Sequence, residues 1–177
     1  MNVLLHSCCG PCASACVPRL KEGGHTVTMF FSNSNIDTRE EYEKRLDEAR
    51  KLAMAEGVEL VADAYDHSKW LREVAAGYED EPEKGRRCER CYRYNLARTA
   101  AYAAAKGFEA FTTSLTVSPH KPSAKIFAAS ENPQFLKEDF KKREGFRLSV
   151  KRAAELGLYR QAYCGCEFSK RNVEKRK

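Results

Sequence analysis

The stretch Asn2-Val3-Leu4-Leu5-His6-Ser7-Cys8-Cys9-Gly10-Pro11-Cys12 opens the chain. Its apolar half reads as a short buried strand over residues 2–5 that ends at His6-Ser7-Cys8-Cys9. Pro11 suits the first turn of a helix, where its missing N–H would have had no partner anyway. That helix is expected to run to about Glu22 and to stop at Gly23-Gly24, with Pro18 kinking or shortening it. A strand therefore passes directly into a helix, and a group of thiols sits at the joint.

The same alternation continues outward. Residues 26–31 are rich in β-branched and aromatic residues and predict a second strand. Thr38-Arg39-Glu40-Glu41 is a capping box, and Tyr42, Leu46, Ala49 and Ala53 follow at helical spacing until Gly57. Residues 58–62 predict a third strand, 68–76 a short helix and 77–85 an acidic loop with Pro82. An Ala-rich helix over 87–106 is closed by Gly107. Residues 109–113 predict a fourth strand and 134–139 a fifth. Further helices are expected at 123–130, 146–155 and 167–175. This pattern predicts one α/β domain with a parallel sheet of about four to five strands and helices on both faces. Sites in such sheets lie beyond the carboxyl ends of the strands, where strand order reverses. If the first and fourth strands flank that point, the cysteines after strand one face the loop at 113–121.

The 177 residues carry 31 basic and 25 acidic side chains, a formal charge of +6. That balance raises the expectation of a nucleic-acid partner only modestly. The apolar run Val3-Leu4-Leu5 is too short for a signal-peptide core, and no stretch is long enough to span a membrane. A cytoplasmic protein is expected. The eight cysteines say more, because they are clustered: Cys8, Cys9, Cys12 and Cys16, then Cys88 and Cys91, then Cys164 and Cys166. In a reducing compartment this argues for metal or redox chemistry and against a disulfide scaffold.

Three readings of the cysteines compete. Cys9-Gly10-Pro11-Cys12 has the sequence of a thioredoxin-like redox motif, which would leave six cysteines unexplained. Cys88-x-x-Cys91 with Cys164-x-Cys166 would complete a structural zinc site, as in a zinc-stabilised RNA-binding module without catalysis, and would leave the first group idle. An iron–sulfur cluster with a second metal beside it uses seven of the eight. Each group lies at the start of a predicted helix, whose free N–H groups favour thiolates. Cys16, one turn inside its helix, reads as a packed core thiol.

The segments at 6–12, 87–91 (Arg87-Cys88-Glu89-Arg90-Cys91) and 158–169 closely resemble the QueH family of epoxyqueuosine reductases. The last of these contains Leu158-Tyr159-Arg160-Gln161-Ala162-Tyr163-Cys164-Gly165-Cys166. Asn33-Ser34-Asn35-Ile36, Glu41-Tyr42-Glu43-Lys44-Arg45, Thr112-Thr113-Ser114-Leu115 and Ser118-Pro119-His120-Lys121 support the likeness, in the family's order over nearly the whole chain.

The resemblance implies a Rossmann-like fold related to the PP-loop ATP pyrophosphatases (HUP-like), with cysteines where those enzymes bind ATP. It implies reductive removal of the epoxide oxygen from epoxyqueuosine at the wobble position of tRNA. It also implies a 4Fe–4S cluster with a second, mononuclear iron, and an electron donor that the sequence does not name. The metal ligands would be Cys8, Cys9, Cys12, Cys88, Cys91, Cys164 and Cys166. Tyr163 and His120 are the candidate proton donors. Arg160 and Gln161 are the candidates for contact with a base edge, joined by Tyr159 and Arg87 in the substrate-binding set. Arg86, Arg90, Lys121, Lys170, Arg171, Lys175, Arg176 and Lys177 are further candidates for phosphate contact. Tyr92, Tyr94 and Phe168 join Tyr159 and Tyr163 as candidates for stacking on an extruded base.

Overall fold

The alternating apolar and β-branched segments form one parallel sheet. In the computed structural model, which describes residues 1–175, β1 (Asn2–His6) is central. It pairs with β2 (Thr26–Phe31) on one side and β4 (Ala110–Thr113) on the other, and β3 (Glu59–Ala62) lies outside β2. The order β3-β2-β1-β4 places the reversal between β1 and β4, which meets the condition under which the cysteines after β1 face the loop at 113–121. In register, His6 faces Phe30 and Thr113, so the carboxyl ends of β2, β1 and β4 are level.

Successive residues of a strand point to opposite faces, so each strand contributes to two cores. Leu5, Met29 and Phe31 pack with α1 (Gly10–Glu22), α2 (Arg39–Glu56) and α6 (Gly145–Glu155). Leu4, Phe30 and Phe111 pack with α4 (Arg86–Lys106) and α5 (Ser123–Ala128). A smaller cluster joins Trp70, Val74 and Ala75 to Phe168. It is built from α3 (His67–Trp70), the turn of π-helix that follows (Leu71–Ala75) and α7 (Glu167–Glu174).

One expectation is narrowed and one corrected. Pro18 does not shorten α1, which ends at Glu22 as expected. The helix is held between α2 and α6, and that burial outweighs the lost hydrogen bond and the ring clash of an interior proline, together about 3 kcal/mol. Residues 134–139 form no fifth strand; they touch the sheet through one parallel bridge, Phe111 to Phe135. The hydroxyls of Thr112 and Thr116 donate to the carbonyls of Leu136 and Glu138, in place of a backbone ladder. Among the described residues the sheet therefore has four strands. The capping box is half formed. The Thr38 hydroxyl accepts from the Glu41 N–H at 3.2 Å, while the Glu41 carboxylate turns instead to Arg45. No helix among the described residues is long and apolar enough to cross a membrane.

Candidate metal centre

The first thiol group is fixed by the end of β1. Ser7 N–H donates to Phe30 O at 2.8 Å, and Asn33 Nδ2 donates to Ser7 O at 2.8 Å, so the turn out of the strand is held on both sides. Cys9 then caps α1, its sulfur accepting from the Cys12 N–H at 3.3 Å. Gly10 is required by close approach, because a Cβ there would lie 2.9 Å from Glu48 O of α2. From the turn after β4, Ser114 accepts from Cys8 N–H at 3.0 Å and places its hydroxyl 3.2 Å from Cys8 Sγ. The sulfurs of Cys8, Cys9 and Cys12 all lie within 4.8 Å of one another. Three thiolates on one tetrahedral ion with bonds of ~2.3 Å would be separated by about 3.8 Å, so this trio has the span for a single ion. The three titrate as a set. Hydrogen bonds with Cys12 and Cys8 hold the Cys9 thiol well below its ordinary value, and hydrogen bonds with Cys8 and Cys9, with burial, hold Cys12 well above.

The second group comes from two helix starts. Cys88 and Cys91 occupy successive turns at the beginning of α4. Cys164 and Cys166 flank Gly165, whose φ of +151° favours glycine and whose Cβ would lie 2.9 Å from Asn35 Nδ2. The four cysteines line a cavity of about 80 Å³ with Trp70 and Asn35. Their sulfurs sense one another: burial raises the Cys91 thiol first, and Cys164, Cys166 and Cys88 raise it further. Yet among the described residues the Cys8, Cys9 and Cys12 trio is the one group of ligand atoms within 4.8 Å, so the four are set wider. A cluster of four irons takes one thiolate on each iron, and a wide set of four suits it.

A larger cavity of about 360 Å³ reaches both groups, from Cys8, Cys9 and Cys12 to Cys91 and Cys164. It also shares Tyr92, His120 and Lys121 with the smaller one. Lys121, read from sequence as a phosphate contact, instead faces the thiols. Burial opposes its charge, but Cys164, Cys8, Tyr92 and Cys12 hold its ammonium well above the ordinary lysine value.

The other residues predicted from sequence divide clearly. Arg160, Gln161, Tyr163 and His120 line the larger cavity; Tyr159 and Arg87 do not. Arg160 and His120 are exposed. The Tyr163 hydroxyl donates to Asp37 Oδ1 at 2.7 Å, and burial and that carboxylate raise its pKa. Tyr159 carries the Lys44 ammonium 3.7 Å above its ring. Arg87 is 2% exposed and its NH1 donates to the carbonyls of Tyr78, Glu79 and Glu81, so its guanidinium holds the loop before α4. Arg90 donates likewise to Val74 O and Glu73 O, and Arg86 pairs with Glu81. Tyr92 and Phe168 are buried in the cores, and Tyr92 also lines both cavities. Cys16 is fully buried, as expected of a packed thiol. Arg176 and Lys177 lie outside the described residues.

Sequence reasoning missed Arg45, Trp70, Asn95 and Ser114 as parts of this site. Arg45 follows Glu41 by four residues, which in sequence reads as an ordinary surface pair on a helix. The sequence profile described as "Epoxyqueuosine reductase QueH" matches residues 3–172. The chain belongs to the QueH family. It is 35% identical to the epoxyqueuosine reductase QueH of Streptococcus pyogenes serotype M1, over 95% of this chain and 70% of that one. The QueH proteins of Dehalococcoides mccartyi and Thermotoga maritima are each 34% identical, over 95% of this chain and 92% and 90% of theirs. QueH membership places the chain among oxidoreductases. Neither the zinc-stabilised module nor the thioredoxin-like exchanger is carried forward.

Proposed function

We propose that this chain reduces epoxyqueuosine in tRNA to queuosine, with a 4Fe–4S cluster on Cys88, Cys91, Cys164 and Cys166 and a single iron on Cys8, Cys9 and Cys12. The observation that carries this division is the difference in span: a tight trio and a wider set of four, both reached by one cavity. When bound, such a cluster supplies electrons singly and such an iron supplies a Lewis-acid position.

Converting an epoxide to an alkene takes two electrons and two protons and releases water. The chain's own residues supply the rest of the chemistry. His120 and Tyr163 are the proton donors in this reading, and their position on the cavity wall supports it. Arg160 is exposed and forms no ion pair among the described residues, which leaves its planar guanidinium for a base edge or phosphate. Gln161 lies beside Cys9, so the two neighbours link substrate to the trio. Lys121 keeps a positive charge between the two thiol groups and offsets their negative charge.

The test is nucleoside analysis of tRNA from a strain that accumulates the epoxide, treated with the anaerobically reconstituted protein and a reductant. Queuosine should appear without ATP or cobalamin. A protein with full iron and sulfide that forms none would overturn the proposal.

A further inference from the structure

Trp70 is the one tryptophan of the chain. It ends α3 and is 1% exposed, and its indole Nε1–H is buried without a hydrogen-bond partner in the protein. Buried indole N–H groups ordinarily have a partner. Trp70 forms one wall of the cavity of Cys88, Cys91, Cys164 and Cys166, and packs in a cluster with Cys91 and Cys166. A second donor approaches from α4. Asn95, one turn after Cys91, directs Nδ2 at Cys91 Sγ at 3.8 Å, while its Oδ1 is buried and unpaired. A protonated thiol is a weak acceptor, whereas a metal-bound thiolate is an anionic one. Both donors lack a strong acceptor unless Cys91 carries charge.

The surrounding contacts hold the indole in place. The His67 ring stacks on Trp70 with centroids 5.5 Å apart and planes 13° apart. Its nitrogens reach Ser34 O at 2.8 Å and Glu167 Oε1 at 3.2 Å, and Glu167 directly follows Cys166. The other sulfurs of the set differ. Cys88 receives a backbone N–H from Lys84 at 3.3 Å. Among the described residues no side-chain N–H is directed at Cys88, Cys164 or Cys166.

We propose that Trp70 and Asn95 are positioning residues whose N–H groups converge on the Cys91 thiolate and raise the reduction potential of the cluster it ligates. The inference rests on the cluster assignment above. One electron enters from an external low-potential reductant, and no bond is made or broken. The added negative charge is shared by the sulfurs, so N–H donors stabilise the reduced state more than the oxidised one.

The test is a redox titration of the full-length, anaerobically reconstituted protein, with iron and sulfide measured on each sample. Trp70→Phe removes one N–H and Asn95→Leu removes the other. Each variant should titrate at a more negative potential than the wild type. The reduced-to-oxidised ratio at a fixed potential should fall at least threefold, about 28 mV for a one-electron couple. In the wild type, emission from the single indole should fall as the cluster is taken up. Unshifted or more positive potentials with intact clusters overturn the proposal. So does loss of the cluster in both variants, which would make these residues structural. If only Trp70→Phe loses it, the potential of Asn95→Leu decides. A wild type that takes up iron and sulfide but leaves the indole emission unchanged also overturns it. A wild type that takes up no cluster overturns the underlying assignment instead.

Discussion

Arg45, buried within α2, donates NH1 to the carbonyl of Cys164 at 2.8 Å. NH2 donates to Tyr163 O at 3.2 Å, and Nε to Glu41 at 2.7 Å, so one guanidinium ties α2 to the backbone that carries two cysteines. At 1% exposure the charge is tolerated because Glu41 pairs it and the carbonyls accept its remaining hydrogens.

Replacing Arg45 should therefore loosen metal binding without touching a ligand. Arg45→Met is expected to weaken metal affinity about 10–100-fold, the range for residues that orient metal ligands. Arg45→Lys should fall between, since a single ammonium cannot serve Glu41 and both carbonyls in the same planar arrangement. Iron and sulfide per chain, measured under chelator challenge, check this. Wild-type retention in Arg45→Met would show that the loop holds itself.

The cysteines should separate by role. Cys16 is fully buried and its thiol donates to Cys12 O at 3.4 Å, so Cys16→Ala should cost about 1 kcal/mol and keep the metal. Cys88→Ala and Cys164→Ala should each lose most of the iron and sulfide. Denaturant melts beside metal analysis read both quantities. Equal metal loss in all three would remove the distinction.

Substrate contact should separate from metal content in the same way. Arg160 is exposed on the cavity rim, so Arg160→Ala should lower turnover about 5- to 30-fold, about 1–2 kcal/mol for one charged contact, with iron unchanged. Affinity for tRNA should fall as salt rises, because each phosphate contact releases counterions. Binding titrations at several salt concentrations, set beside turnover, are the check. An Arg160→Ala protein with normal turnover would take this residue out of the substrate site.

His6 should give the metal-free protein a dependence on acid. Its ring is fully buried, with Nε2 donating to Ser32 O at 3.0 Å and Nδ1 2.9 Å from the Thr113 hydroxyl. Burial lowers its pKa from the ordinary 6.5 to about 4. Above pH 6.5 both folded and unfolded states are neutral here and the full stability is present. Between 6.5 and 4 the unfolded state takes the proton first, so stability falls, by on the order of 3 kcal/mol in all. Urea melts of metal-free protein across this window should show the slope, and His6→Asn should flatten it. An unchanged slope in that variant would assign the loss to other groups.

Much of the fold was legible because its signals are local. Gly57 and Gly107 close α2 and α4 in the left-handed conformation expected of a helix stop. Thr38 caps where it was expected to, and Pro11 sits in the first turn of α1. The seven candidate ligands stood out because cysteine spacing at helix starts is itself a chemical pattern. The failures were long-range. Segment 134–139 has strand-like composition, but hydroxyls of Thr112 and Thr116 take its carbonyls. Arg87 resembled a surface cation, yet the chain folds its own carbonyls around it.

The sequence alone therefore determined the alternation of strands and helices and the set of thiols, because each depends on residues adjacent in the chain; the reversal beside β1 was settled by the pairing of β1 with the distant β4. Tertiary structure decided how the thiols divide between a tight trio and a wider four, since that depends on distances between segments far apart in the chain. It also decided which polar groups serve them. Arg45, Trp70, Asn95 and Lys121 reach the site from separate segments, and a buried charge or N–H takes its meaning from the partners that folding brings to it.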